Sequence, residues 1–188
     1  KWMHFKTKEV GNLGTIDKVA ISKEREKALI AREKSDSTQK AGIFLWEAFE
    51  DSTTIRPIHL ASGSYEQLTF GDNGNTYAFL LDTAALEFKP NYSLYYGFSN
   101  KQEIRELNRD SILEIPNDWG ISKHGKMTIG SNDQKIFFGT SPMPIVGDPD
   151  DEDAVNVEVW TWKDPVLYTR QESSLKRDRE KTFGAVVF

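Results

Sequence analysis

The sequence predicts an all-β protein: a partial β-propeller of about three four-stranded antiparallel blades plus the start of a fourth, in one domain of residues 1–188. Two observations predict it: a hairpin pattern that occurs three times, and a further pair of strand-like segments after each occurrence. A repeat of about 50 residues indicates stacked units, because each unit can bury its apolar face only against the next. The blades are predicted at residues 17–60, 66–108 and 127–172, and the next blade starts at 175–188.

The clearest hairpin is Leu68–Leu81. Its two strands, Leu68–Phe70 and Thr76–Leu81, contain the aromatic and β-branched residues that are enriched in strands. The turn Gly71–Gly74 joins them, and its sequence GDNG tolerates the positive φ angles of tight turns.

The same pattern recurs at Val19–Ala31 and at Thr128–Gly139. The three hairpins superimpose on one apolar anchor in each, namely Ile21, Phe70 and Ile129. We call this anchor position 0 and expect its three residues to be buried in equivalent places. The segment Lys23–Arg32 has helical composition by itself, but its register with the two other hairpins favours a strand, since intrinsic propensity is a weak predictor.

Two more strands are predicted after each hairpin. The third strands of the blades are aromatic and aliphatic: Ile43–Trp46, Ser93–Tyr96 and Val157–Trp160. The fourth strands are weaker and edge-like: Ile55–Leu60, Glu103–Leu107 and Leu167–Glu172. Pro57 fits an edge, because proline cannot donate a hydrogen bond to a neighbouring strand. The N-terminal segment Lys1–Thr15 is either the last strand of an earlier blade or a poorly ordered terminus.

Composition excludes several function classes. The net charge of −5 and the pI near 5.3 argue against nucleic-acid binding, which needs clustered basic residues. No apolar stretch approaches the 18 residues or so of a membrane span, and the first residues show no signal peptide. Without cysteine the chain has no disulfide, thiol nucleophile or thiolate metal ligand.

No metal or cofactor is predicted. The acidic run Asp148–Asp153 lacks the alternating carboxylates, glycine and distal glutamate of a calcium loop, so we expect a solvated loop that is mobile and metal-free. The three histidines, His4, His59 and His124, have no second ligand at metal-binding spacing, which favours structural roles. His59 is expected to face solvent or the neighbouring blade.

No catalytic residue is predicted either. The nearest approach to the G-x-S-x-G motif of α/β-hydrolases is Gly97–Lys101, which carries Ser99 but lacks the final glycine. No other segment combines a nucleophile, a base and an acid. We therefore interpret this stretch as a β-turn.

Most aromatic residues are predicted to form the core between sheets, because they fall on strand positions of the repeat. These are Trp46, Phe79, Phe137, Phe138 and Trp160, and Trp119 is expected to be a buried plug between blades. Three others fall outside the register and are candidates for a surface role: Phe88, Tyr92 and Trp162.

The hairpin Phe70–Phe79 resembles the propeller repeat of TolB-like, tricorn-like and prolyl oligopeptidase-like proteins, a repeat of WD40-like type. The strings IFFGTSPMP, VNVEVWTWKDPVLYTRQ and LKRDREKTFGAVV look more specifically like the propeller of Bacteroidetes-type prolyl oligopeptidase family serine peptidases. The resemblance implies a periplasmic or secreted protein whose propeller gates the access of short peptides to a C-terminal α/β-hydrolase domain. No position in this chain matches that domain, so no catalytic residue is carried over.

Two functions stay open. The first is a non-catalytic propeller fragment of such a peptidase; the second is a stand-alone propeller-type module that binds a protein or glycan through its long loops. Three blades would leave apolar faces and the terminal strand Ala185–Phe188 without neighbours, so we also expect a homodimer in which the terminal strands of one copy complete a sheet of the other.

Overall fold

The computed structural model describes residues 1–4, 6–32, 40–84, 90–111, 115–143 and 180–188, together with Ser174 and Arg177. The strands in these ranges are β1 Trp2–Met3, β2 Val10–Gly11, β3 Ile16–Ile21, β4 Lys27–Arg32, β5 Gly42–Ala48, β6 Thr53–His59, β7 Ser64–Phe70, β8 Thr76–Asp82, β9 Ser93–Phe98, β10 Ile104–Leu107, β11 Trp119–Ser122, β12 Thr128–Ile129, β13 Ile136–Pro142 and β14 Phe183–Val187. One 3-10 turn, Arg109–Ser111, follows β10.

The strands form three four-stranded antiparallel sheets and one short ribbon. The first sheet has the order β3-β4-β5-β6, and the second has the order β7-β8-β9-β10. In the third sheet β13 pairs with β11 and β12 on one side and with β14 on the other. Strands β1 and β2 form the ribbon that replaces the single N-terminal strand considered for Lys1–Thr15. The all-β prediction is confirmed; among the described strands no sheet closes on itself.

The register deduced from the three hairpins is confirmed residue by residue. Each position 0 residue pairs with the residue seven places on: Ile21 with Ala28, Phe70 with Tyr77, and Ile129 with Ile136. The turn hydrogen bonds also repeat, and the residue four places after each anchor has a positive φ. These residues are Arg25 (62°), Gly74 (65°) and Asp133 (56°). The segment of helical composition therefore folds as a turn followed by β4, because its pairing partners impose a strand.

The later strands of the first two sheets also lie where predicted. Ile43–Trp46 lies within β5 and Ser93–Tyr96 within β9, and β6 and β10 pair along their edges. Pro57 lies opposite Phe44 on β6, at the outer edge of the first sheet. Val157–Trp160 and Leu167–Glu172 lie outside the described residues.

The segment predicted to start a further blade belongs instead to the third sheet. Strand β14 (Phe183–Val187) pairs with β13 from Ile136 through Thr140 and so occupies the third place in that sheet. The physical reason is that β13 offers a complete row of backbone donors and acceptors on that side, which an apolar strand satisfies. Ala185–Val187 are thus paired within the chain, contrary to the expectation that Ala185–Phe188 would be unpaired.

The three sheets stack face to face. We call the side of each sheet that carries position 0 and the residue seven places on its front face, and the opposite side its back face. The front face of the second sheet packs on the back face of the first through Leu29, Leu45, Tyr77, Phe79 and their neighbours. The front face of the third sheet packs on the back face of the second through Ala78, Leu80, Leu94, Ile136 and Phe138.

Two expectations about the core were wrong. Position 0 is equivalent in all three sheets but not equally buried: Phe70 and Ile129 are partly buried, whereas Ile21 is 62% exposed. Phe137 was assigned to the core and is 45% exposed. Both residues lie on outer faces of the stack, where the described part of the chain supplies no further sheet.

Candidate functional site

A polar cluster lies between the first and second sheets, and we call it the inter-sheet polar cluster: Lys27, Glu47, Arg56 and Ser99. Lys27 Nζ donates to Ser99 Oγ at 2.8 Å and to the Gly74 carbonyl at 3.2 Å. The guanidinium of Arg56 donates to the Ser99 carbonyl, and both cations lie 3.9 Å from the Glu47 carboxylate. All four side chains are largely buried, and their charge-assisted hydrogen bonds link the two sheets.

Ser99 lacks the surroundings of an activated nucleophile. A lysine base must present a lone pair to the serine hydroxyl, yet the Lys27 ammonium donates to Ser99 and to further acceptors, including Asn75 Oδ1 at 3.5 Å. Ser99 is only 3% exposed. The interpretation of Gly97–Lys101 as a turn is confirmed, since the Lys101 amide donates to the Phe98 carbonyl.

A second kind of polar contact between sheets occurs twice, once from β3 and once from β7. Lys18, three places before position 0, donates to the Tyr65 carbonyl at 2.6 Å and lies 2.9 Å from Glu66 of the next sheet. Gln67 has the equivalent place in the second sheet and donates to the Lys123 carbonyl of the third sheet at 2.7 Å. Both residues lie where the strand has an irregular register. The same position therefore links each sheet to the next.

His59 faces the neighbouring sheet, which is one of the two environments predicted for it. Its ring centroid lies 4.8 Å from that of Tyr95 and 6.3 Å from that of Phe79. Burial lowers the pKa of His59, an effect that the charge of Glu106 partly opposes. Burial also raises the pKa of Tyr65 and of Tyr95 to about 12. Burial therefore favours the neutral form of all three rings.

The other histidines have local roles. His4 Nδ1 is hydrogen-bonded to Thr7, and its Nε2 lies 3.0 Å from the Phe49 carbonyl, which ties the β1–β2 ribbon to the first sheet. His124 lies in an exposed turn. Within the described ranges, no three His, Asp or Glu side chains are arranged to hold a metal ion. In the same ranges no helix is both apolar enough and long enough to cross a bilayer.

The predicted surface candidates divide into two groups. Tyr92 is 4% exposed and packs in the core between the second and third sheets, so the surface role expected for it was wrong. Its strand-like bridge to Ile121 accounts for the burial, because that bridge draws Tyr92 between the second and third sheets. Phe88, Trp162, Trp160 and the acidic run Asp148–Asp153 lie outside the described residues.

Aromatic side chains are exposed at one end of the third sheet. Trp119 is half-buried and not a full plug, and its ring centroid lies 4.8 Å from that of Phe183, which is 45% exposed. Lys181 Nζ lies 5.5 Å from the Phe183 ring. On the second sheet a small cavity of about 20 Å³ beside Phe98 has room for about one water molecule. The aromatic pair is therefore the better candidate for ligand contact.

The inter-sheet polar cluster was missed by the sequence analysis. Its signal was present, since Lys27, Glu47 and Arg56 interrupt strands with charge at positions that point toward a neighbouring sheet. Comparison of the chain with protein-family models, with curated proteins and with solved structures finds no significant match.

Proposed function

We propose that the chain is a non-catalytic section of a β-propeller in a serine peptidase of the prolyl oligopeptidase family. In this role it helps to gate the access of short peptides to an α/β-hydrolase domain encoded elsewhere in the parent protein. The protein would then be periplasmic or secreted. The peptidase assignment rests on the resemblance of the hairpin Phe70–Phe79 and of the third-sheet strings.

One observation carries the propeller part of the proposal: the contact between hairpin turns repeats at both junctions. Gly74, four places after position 0, lies against Ser22, one place after position 0 in the preceding sheet. Asp133 has the same relation to Gly71. When the same contact relates each sheet to the next, each sheet is rotated by the same angle from the one before it. Propeller blades and solenoids have this geometry.

The proposal predicts the chemistry of the parent protein. The purified 188-residue chain should neither hydrolyse prolyl or alanyl peptides nor react with a fluorophosphonate probe, whereas the parent protein should do both. Deleting the propeller from the parent should allow longer peptides to be cleaved, because the gate is gone. Stoichiometric labelling of any serine in the 188 residues, or a parent gene without G-x-S-x-G followed by Asp and His, would overturn the proposal.

The pair of the half-buried Trp119 and the exposed Phe183 favours a second candidate, a propeller-type module that binds a protein or glycan by stacking on aromatic rings. Adding oligosaccharides or proline-rich peptides to the 188-residue chain would then change tryptophan fluorescence saturably. The variant Trp119→Ala would lose that change. A parent gene that encodes only further blades would favour this candidate over the peptidase.

A further inference from the structure

We infer that the junction between the second and third sheets contains a binding site for a monovalent cation of ammonium size, potassium or ammonium itself. Its side-chain ligands are Asp133 Oδ1 and Thr76 Oγ1. The ion occupies the place that the Lys27 ammonium group has at the junction between the first and second sheets. The inference uses the sheet repeat and not the peptidase assignment. A labelled serine would overturn the proposed function alone, and a protein that binds no such ion would overturn this inference alone.

Two side-chain oxygen atoms at this junction are buried and have no hydrogen-bond partner in the part of the chain that the structure describes. They are Asp133 Oδ1 and Thr76 Oγ1. Thr76 is only 2% exposed. A buried polar atom without a partner is destabilising, and a buried carboxylate without one is more so. Native proteins contain few such atoms, so a pair of them at one junction indicates a ligand.

The two oxygen atoms lie on the same side of the β7–β8 hairpin. The Gly71 amide donates to the Thr76 carbonyl at 2.8 Å, so these two residues are neighbours across the turn. Side chains of such neighbours project to the same side, with β carbons about 5 Å apart. Asp133 Oδ1 lies directly against the point that a β carbon of Gly71 would occupy. The Asp133 carboxylate therefore fills the place of the side chain that Gly71 lacks, next to Thr76.

The equivalent place at the first junction is filled by a lysine. Six places after position 0 the three sheets carry Lys27, Thr76 and Lys135. Lys27 Nζ reaches across the first junction and donates at 3.2 Å to the carbonyl of Gly74, the residue four places after position 0 of the second sheet. Thr76 has the same register relation to Asp133, but its side chain carries no ammonium group. The second junction therefore lacks the cation that the first junction has.

The charge at the second junction matches the missing cation. Four places after position 0 the three sheets carry Arg25, Gly74 and Asp133. Asp133 is the one carboxylate among these three, and it faces Thr76, the one residue among its own three equivalents that is not lysine. A bound cation pairs with the carboxylate and offsets the cost of burying it.

The ligands indicate the class of the ion. Carboxylate, hydroxyl and carbonyl oxygens bind hard cations. The third ligand is the Asp133 carbonyl, the equivalent of the Gly74 carbonyl that accepts from Lys27. One carboxylate balances one positive charge, and the equivalence with a lysine ammonium group indicates an ion of that size. The described ranges contain no grouping of three acidic or histidine side chains of the kind that holds a multivalent metal.

Solvent reaches this end of the junction. Asp133 lies in the hairpin turn between β12 and β13, and its neighbours Asn132 and Gln134 are both exposed. An ion can therefore enter and leave beside the turn while the two sheets stay packed.

The test is thermal unfolding of the purified 188-residue chain in choline chloride and, at equal ionic strength, in potassium, ammonium or sodium chloride. Choline is too large for the site and serves as the reference. An ion that binds only the folded state stabilises it saturably, with a dependence on concentration that gives the dissociation constant. We expect potassium and ammonium each to raise the melting temperature by at least about 2 °C. The smaller sodium ion should raise it less.

Two conservative variants each remove one ligand. Asp133→Asn keeps the shape of the side chain and removes its charge, so the rise with potassium should disappear. Thr76→Val keeps the shape and removes the hydroxyl, so the dissociation constant of potassium should increase at least about tenfold. The matched control is Asp72→Asn, because Asp72 lies in the equivalent turn of the second sheet but its side chain is 61% exposed. It should keep the full rise.

Thr76→Lys should supply the cation covalently. Lysine stands at this register position in both other sheets, as Lys27 and Lys135, so the fold accommodates it. In choline chloride the variant should melt at a higher temperature than the unmodified chain. Its melting temperature should no longer depend on potassium, because its own ammonium group occupies the site.

Diffraction locates the ion directly. Thallium(I) replaces potassium and scatters anomalously, so a crystal soaked in a thallium(I) salt should show an anomalous peak between Asp133 Oδ1 and Thr76 Oγ1. A crystal of Asp133→Asn should lack that peak.

Four outcomes would overturn the inference. Equal melting temperatures in choline and potassium chloride would mean that no ion binds. A potassium effect that Asp133→Asn retains would place the ion elsewhere. Calcium that stabilises the chain at a much lower concentration than potassium, and fails to do so in Asp133→Asn, would make the site divalent. An anomalous map without a peak at the junction would leave the two oxygens with a water molecule instead.

Discussion

Gly74 lies directly against Ser22 across the first junction between sheets: a β carbon built on Gly74 would come 3.3 Å from the Ser22 β carbon. Gly74 also has a φ of 65°, a conformation that non-glycine residues adopt only at a cost. The turn Gly71–Gly74 was predicted from residues that tolerate a positive φ. In the structure it is also a point of contact between sheets. Both properties make this glycine sensitive to substitution.

We predict that Gly74→Ala destabilises the protein by about 1–2 kcal/mol, the cost of a left-handed conformation for an L-residue. Urea unfolding at one fixed protein concentration measures the change. Gly184→Ala is the matched control, because Gly184 has no atom within 4 Å of an added β carbon and should show no such loss. Equal losses in the two variants would contradict the prediction.

Asp133 is the register equivalent of Gly74, and replacing it by glycine should stabilise the protein in choline chloride. Its φ is 56°, and its buried Oδ1 finds no hydrogen-bond partner in the part of the chain that the structure describes. Asp133→Gly removes the unfavourable φ and the unsatisfied atom, and it costs backbone entropy. We expect a net gain of about 1 kcal/mol in the free energy of unfolding; a loss in urea unfolding would show that the carboxylate has a partner.

The inter-sheet polar cluster should be sensitive to loss of its ammonium group. Lys27→Met leaves the buried Ser99 hydroxyl and the Gly74 carbonyl without their donor, so we expect a loss of about 1–3 kcal/mol in urea unfolding. The same substitution at Lys23 is the control, since the Lys23–Asp72 pair is exposed and spans 3.8 Å. Such surface pairs contribute little. Matching losses would mean that the buried cluster does not stabilise the junction.

Phe79 lies in the core between the first and second sheets. Its removal should lower the stability of the protein more than that of any other aromatic residue. It is fully buried, and its ring lies 5.4 Å from that of Tyr95, with the two planes stacked. Phe79→Ala should cost about 3–5 kcal/mol or prevent folding. Phe49→Ala, at a site that is 53% exposed, should cost far less. Thermal unfolding of both variants under one condition measures the difference, and similar melting temperatures would contradict it.

The repeat pattern was sufficient to predict the hairpins and their register. Alternation of apolar residues determines which side of a strand is buried, and a slip of one residue would reverse every side chain. Ile21, Phe70 and Ile129 could therefore be aligned correctly from the sequence. Their different burial could not be predicted, because it depends on how many sheets flank each one.

The site residues were less predictable, because they depend on contacts between sheets. Ser99 was identified by a motif that it only partly matches, whereas its real partner, Lys27, lies 72 residues away in the sequence. Strand β14 was misassigned for a similar reason: the apolar run Phe183–Val187 indicates a strand but not which edge it joins. Local pattern determines that a strand forms, and long-range pairing determines where.

His59 should make the stability of the protein depend on pH. Burial lowers its pKa below the ordinary value of 6.5, so the folded state releases the proton more readily than the unfolded chain. Above about pH 6.5 both states are neutral at this residue and its contribution is complete; as the pH falls toward the folded pKa, the unfolded state binds the proton first and stability is lost. His59→Phe keeps an aromatic ring on Tyr95 and removes the titration. Urea unfolding at several values between about pH 5 and pH 8 should therefore show a shallower loss on acidification for the variant, and equal slopes would mean that His59 is protonated without cost in the folded state.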